Sequence, residues 1–219
     1  FNPDSEFQTI ISAHWDTRAW ADQEDLRQDR DKPVIGANDG ASGVAILLEL
    51  ARIMAENPPP IGVNLVFFDG EDQGVPGVNE TYCQGSRFFA KNLPIPRPDE
   101  AINLDMVGDK QLVLPIERYS LEYHPQLVRH LWDRAKEMGL DAFIGRVDYA
   151  IYDDHIPLNE IAGIPSIDLI DFKYPNSYAN FWHTLNDIPE NCSEESLGQV
   201  GDLMVDYIYN REEQNRSEN

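Results

Sequence analysis

Apolar residues along this chain fall into short strand-like runs separated by longer stretches with helical periodicity. Residues 8–13 (Gln-Thr-Ile-Ile-Ser-Ala) form a β-favourable run ending at His14, and residues 63–68 (Val-Asn-Leu-Val-Phe-Phe) form a second ending at Asp69-Gly70-Glu71-Asp72. Between them, residues 43–55 carry apolar side chains around most of a helix surface. Pro58-Pro59-Pro60 then stops that helix, because proline has no N–H to donate and crowds the preceding turn. The unit reads strand, helix, strand. Residues 101–106 and 164–170 predict two more strands, while 124–138 and 193–209 predict amphipathic helices. Ser193 is the expected N-cap of the last helix, with Glu194 and Glu195 favourable in its first turn. Strands alternating with helices imply an α/β three-layer sandwich, a mostly parallel twisted sheet flanked by helices. Residues 1–210 are expected to form a single domain, and the polar residues 211–219 a frayed tail. Two long irregular stretches, 16–35 and 73–86, are expected as functional rims, since loops of that length in a compact domain are seldom padding.

Composition narrows the partners. The 219 residues, 42% of them hydrophobic, suffice for one large core. Lys plus Arg total 17 against 39 Asp plus Glu, a net charge of −22, which opposes binding to nucleic acid or anionic lipid. No apolar run approaches the roughly 20 residues of a membrane span, and the opening Phe1-Asn2-Pro3 carries no leader pattern. Cys83 and Cys192 stand in no zinc-finger or redox spacing, so a single bridge and two free thiols are both open readings.

Candidate chemistry sits at the strand ends. His14, Asp39, Asp72, Asp105 and His183 are metal-capable and each closes or follows an apolar segment, with Glu71 beside Asp72. Carboxylates and imidazoles placed this way gather at the carboxyl edge of a parallel sheet, where a zinc site forms. In His14-Trp15-Asp16 the acid is spaced to hold the second ring nitrogen of the histidine. Small residues surround Asp39 in Gly36-Ala37-Asn38-Asp39-Gly40-Ala41-Ser42-Gly43, where the acid either caps a helix or meets an ion. Glu71 and Asp72, being adjacent, point in different directions, so one can ligate while the other moves protons. Asp153-Asp154-His155 clusters acids that raise one another's pKa. Each feature alone has a structural explanation; their shared position at strand ends is what favours a site. Rival signatures are missing, with no H-E-x-x-H, G-x-S-x-G, phosphate loop or G-x-G-x-x-G.

Taken in order, His-Trp-Asp-Thr-Arg at 14–18, the Asp39 motif, Phe-Phe-Asp-Gly-Glu-Asp at 67–72, Gly-Ser-Arg at 85–87, Leu-Asp-Met-Val-Gly at 104–108, Asp-Asp-His-Ile-Pro at 153–157 and Trp-His-Thr at 182–184 resemble one family. It comprises the zinc-dependent aminopeptidases of the bacterial leucine aminopeptidase type and their relatives, the animal-type glutaminyl cyclases. Within it, Phe-Phe-Asp-Gly-Glu, Asp-Asp-His-Ile-Pro and the Trp before the last histidine resemble the cyclases, the bacterial form above all. The resemblance implies a zinc-dependent catalytic domain that lacks the family's N-terminal segment, with an open sheet edge near the start of the chain. It implies that Asp39, Asp72 and His183 hold one catalytic zinc per chain, that Glu71 is the general acid/base with Asp105 and Asp154 in a carboxylate network around it, and that Trp182 lines the substrate pocket. Most members carry Glu where Asp72 stands, so the shorter arm must bring the backbone nearer the ion. The implied reaction is cyclisation of an N-terminal glutamine, on peptide or protein N-termini, to pyroglutamate with release of ammonia. The alternative is a two-zinc aminopeptidase in which His14, Asp39 and Asp105 bind a second ion. Without that ion, His14, Asp16 and Asp105 would support the first site. Export to the periplasm or medium is implied by the resemblance alone.

Overall fold

A computed structural model describes residues 1–217, with side chains described through Arg211. The strands are β1 (Gln8–His14), β2 (Gly62–Phe68), β3 (Glu100–Asp105), β4 (Leu114–Ile116), β5 (Phe143–Val147), β6 (Ser166–Ile170), β7 (Pro175–Asn176) and β8 (Ala179–Asn180). The helices are α1 (Ala41–Glu56), α2 (Gln84–Lys91), α3 (Arg118–Tyr123), α4 (Pro125–Met138), α5 (His155–Glu160) and α6 (Glu194–Ser217). Over the tail expected at 211–219, α6 continues through Ser217; the side chains from 212 onward, and residues 218–219 altogether, lie outside the described residues.

Four strands form the central sheet in the order β2-β1-β3-β6, every pair parallel. Successive side chains of a strand face opposite sides, so Ile10 and Ile11, both fully buried, enter different cores. On one face the sheet packs with α1, α4 and α6, through Leu47, Leu50, Leu131 and Leu203. The other face meets α2 and α5 through Phe68, Phe89 and Leu158. Burying each of these large side chains contributes about 1.5–3 kcal/mol. This is the expected three-layer α/β sandwich. Close approach of α1 depends on Gly43, where any Cβ would collide with the Leu104 carbonyl and Ala13. Ser193 accepts from the Ser196 amide 3.0 Å away, capping α6 as predicted.

One expectation is corrected. The first strand is not at an open edge: the crossover through α1 lays β2 along one side of β1, and β3 takes the other. The edge belongs to β2, and there Phe1 exchanges two bonds with Val63, its amine donating at 2.9 Å and its carbonyl accepting at 3.0 Å.

Because the strands are parallel, their carboxyl ends meet at one rim. His14 pairs with Phe68 and Asp105 with Ile170, so the residues that follow β1, β2 and β3 emerge together. The stretches 16–35 and 73–86 border that rim, containing the short 3-10 turns Arg27–Asp29 and Asn79–Thr81 and the start of α2.

Candidate active site

Asp39 precedes α1, but its carboxylate makes no capping bond; Gly40 is the N-cap. Gly40 is required by its neighbour, since a Cβ there would meet the His14 carbonyl at 2.5 Å and the imidazole at 2.6 Å. Freed from the helix, Asp39 sits between two histidines, Oδ1 3.2 Å from His14 Nε2 and Oδ2 3.6 Å from His183 Nε2. Asp72, in the turn after β2, brings Oδ1 to 2.8 Å from His183 Nε2. His183 holds a left-handed backbone at φ 55°, a strained conformation for a residue other than glycine and one that collects at functional sites.

Donor atoms of Asp39, Asp72 and His183 thus lie within 4.8 Å of one another, all on buried residues. Two buried carboxylates and an imidazole make a set of hard oxygens and one nitrogen that suits zinc with an open fourth position. Two further observations test the fit. Asp72 Oδ2 is buried without a hydrogen-bond partner among the described residues, at a cost unless something meets it, and His183 Nε2 faces carboxylate oxygens of both Asp72 and Asp39. Burial and then the charge of Asp39 push Asp72 up to about 6, strain that a divalent cation relieves. The residues fit the ion. The backbone behind the short Asp72 arm is held by its amide, which donates to Asp16 Oδ2 at 3.2 Å.

A second triplet, His14, Asp39 and Asp105, satisfies the same proximity. His14 Nε2 faces Asp105 Oδ1 at 3.0 Å, and Nδ1 faces the Asp16 main-chain oxygen at 3.0 Å. Burial alone would lower His14, but Asp105, Asp16 and Asp39 outweigh it and hold it well above its ordinary value. Asp16 faces His14 Nδ1 with its carbonyl at 3.0 Å and its carboxylate at 3.6 Å, and that carboxylate also accepts from the Glu71 and Asp72 amides.

Glu71 is 8% exposed and lines a cavity of about 320 Å³ together with Asp39, Asp72, Asp105, Asp153, Trp182 and His183. Its Oε1 accepts from the Cys83 thiol at 3.3 Å. Burial, then repulsion from Asp153 and Asp72, holds Glu71 well above the usual carboxylate range. Asp105 is pushed up to about 7 by burial, against the pull of His14. Trp182 stacks on His183 with ring centroids 3.8 Å apart and meets Phe172 at 5.1 Å, so one candidate ligand is packed directly under the apolar wall.

The structure brings the residues named from the sequence together at the rim, with Asp154 set back from the cavity lining yet near enough that its charge raises Glu71. As the residue before α5, Asp154 turns its carboxylate inward to the Ser86 hydroxyl, away from the cavity. Asp153 is the acid that lines it, and groups with Glu71 and Cys83. Two further acids, unmarked in the sequence, reach the site: Asp22, 3.3 Å from His183 Nδ1, and Asp187, which accepts from the Asn38 and Asp39 amides at 2.7 and 3.2 Å. Asp22 lies in an acidic loop with no spacing that marks it, and Asp187 stands four residues past His183 without a pattern. Cys83 and Cys192 are both free thiols.

Comparison with known proteins agrees with this geometry. A model of peptidase family M28 matches residues 1–208. The structure of a glutaminyl cyclase from Bacteroides thetaiotaomicron bound to N-acetylhistamine superposes with a TM-score of 0.91 at 35% identity, covering 96% of this chain and 75% of that one. A leucine aminopeptidase precursor from the same organism gives 0.90 at 36% identity, covering 96% and 74%. Glutaminyl-peptide cyclotransferase of Boiga dendrophila is 25% identical over 240 residues; the match takes in 94% of this chain, which spans 62% of that relative's length. With nearly its whole length matched to the family model and its sheet superposed on these structures, the chain belongs to peptidase family M28.

Proposed function

We propose that this chain is a zinc-dependent glutaminyl-peptide cyclotransferase, closing the N-terminal glutamine of peptides or proteins to pyroglutamate with release of ammonia. The observation that carries the reading is one cavity lined by the Asp39, Asp72 and His183 donors, by Glu71, and by the ring of Trp182 stacked on His183. The cyclases among its similar structures support it.

Asp39, Asp72 and His183 hold one zinc. Bound there, the ion supplies Lewis-acid polarisation of the γ-carboxamide. The α-amine nitrogen of the substrate bonds to the side-chain amide carbon, and the bond from that carbon to its amide nitrogen breaks. Glu71 takes a proton from the attacking amine and delivers it to the departing nitrogen, which leaves as ammonia. A carboxyl held above its ordinary range serves both halves of this transfer, worth about 10²–10⁴ in rate. Asp153, on the same cavity, repels the charge of Glu71 and helps keep it in that range, while Asp105 lines the cavity beside them. Trp182, with Phe172 and Ile151, gives an apolar wall that orients the small side chain and excludes water, the competing nucleophile. Among the described residues no helix is long and apolar enough to cross a membrane. A location in the periplasm or medium belongs to this reading and rests on the family resemblance.

One observation favours a second reading. The His14, Asp39 and Asp105 donors are intact and within 4.8 Å of one another, as a two-zinc aminopeptidase requires. The purified chain separates the two: ammonia from a Gln-initiated peptide with one zinc per chain supports cyclisation, whereas free leucine from a Leu-initiated peptide with two zincs supports hydrolysis.

A further inference from the structure

Arg18 is 8% exposed, and its guanidinium is spent entirely inside the rim. Nη1 donates to the Asp72 carbonyl at 2.8 Å and the Gly74 carbonyl at 2.7 Å, while Nε and Nη2 donate to Asp22 Oδ2 at 3.0 and 2.5 Å. The other oxygen of Asp22 is buried, accepts no hydrogen bond among the described residues, and faces His183 Nδ1 at 3.3 Å. Two further bonds tie this loop to the histidine's own: the Gln23 amide donates to the His183 carbonyl at 3.2 Å, and Leu185 donates to Glu24 Oε1 at 2.9 Å.

An arginine bridging a turn to an acid four residues on is commonly a fold element and no more. Here the acid's free oxygen has one neighbour to serve, the ring nitrogen of His183 that does not face the Asp39 and Asp72 carboxylates. A carboxylate beside one imidazole nitrogen fixes a proton there and leaves the lone pair of the other for an ion. The same guanidinium holds the backbone of Asp72, whose short side chain needs that backbone close.

We propose that Arg18 and Asp22 are positioning residues for the metal centre: Asp22 sets the tautomer and ring plane of His183, and Arg18 locks Asp22 while fixing Asp72, so one clasp aligns two of the three ligands. This rests on the zinc reading above. Replacing Asp22 with Asn probes it sharply. The amide oxygen turns to Arg18, which offers only donors, and the NH₂ then faces His183 Nδ1. That nitrogen must become the acceptor, and the proton moves to the nitrogen an ion needs.

The experiment is zinc affinity by chelator competition on the full chain, alongside the melting temperature of the metal-free protein, for wild type, Asp22→Asn, Asp22→Ala and Arg18→Met. Each variant is expected to lose about 10–100-fold in zinc affinity. The near-isosteric Asp22→Asn should keep the metal-free melting temperature within about 2 °C of wild type, a change under about 1 kcal/mol. The double variant Arg18→Met with Asp22→Ala should lose less than the product of the single losses, since both act through one arm. Zinc affinities within threefold of wild type in Asp22→Asn and Arg18→Met overturn the inference, as does a loss matched by collapse of the metal-free fold in all variants. A wild-type chain that takes up no zinc defeats the reading beneath it, a separate and recognisable outcome.

Discussion

His14 Nε2 stands 3.0 Å from Asp105 Oδ1, with the opposite ring nitrogen on the Asp16 main-chain oxygen at 3.0 Å. In a one-zinc protein this pair is a supporting contact that holds Asp105 beside the cavity. In a two-zinc protein the same atoms are ligands. His14→Ala is therefore expected to keep its single zinc, bound within about threefold of wild type, and to lose turnover because buried Asp105 is left without its partner. Zinc per chain, measured after dialysis, checks this; a fall from two ions to one contradicts it.

Trp182 acts through its face. Its ring covers His183 and meets Phe172, and truncation to alanine opens the wall assigned to the glutamine side chain in the proposed reaction. Trp182→Ala is expected to lower kcat/KM on the order of 10–100-fold while the zinc content stays unchanged, with most of the loss in KM if the wall binds ground and transition states alike. Steady-state kinetics with a Gln-initiated peptide give the split.

Stability of the metal-free chain should fall as pH rises from 5 to 8. Burial holds Asp171 up at about 7, and Asp72 and Asp187 at about 6, above their unfolded values. For such groups the folded state keeps protons the unfolded state has released, so their contribution is complete below the ordinary carboxylate pKa and is lost as pH passes the folded value. His14 and His183, both raised, act in the same direction, losing their contribution as pH rises. Carboxylates held low, such as Glu100 and Asp206, have completed their titration below pH 5 and add no slope in this window. Urea midpoints at pH 5 and 8 test the sign, and Asp171→Asn should flatten part of the slope. Zinc reverses it, because the ligands must be deprotonated to bind.

The sheet is legible in sequence because its strands are continuous apolar runs, each ending in a residue with chemistry: His14, the Glu71-Asp72 turn, Asp105. Helices α1, α4 and α6 are long enough for the apolar period to show. The six- to eight-residue helices α2, α3 and α5 span about two turns and carry no readable period, and α5 starts inside what reads as a polar loop. That start decides between Asp153 and Asp154, which are identical in type and adjacent, so only the local backbone turns one toward the cavity and the other toward Ser86. Position in the sheet is a non-local property, which is why the first strand proves to be interior. Asp22 and Asp187 reach the site from loops brought in by tertiary contacts, and no local pattern carries that information.

The central claim is that Glu71 moves the proton while Asp39, Asp72 and His183 hold the ion. Glu71→Gln separates the two, since it leaves the ligands intact and removes the carboxyl that shuttles. Ammonia release from a Gln-initiated peptide, measured beside zinc content on the same preparation, is expected to fall about 10²–10⁴-fold with one zinc per chain retained. Release at close to the wild-type rate with zinc in place would contradict the account.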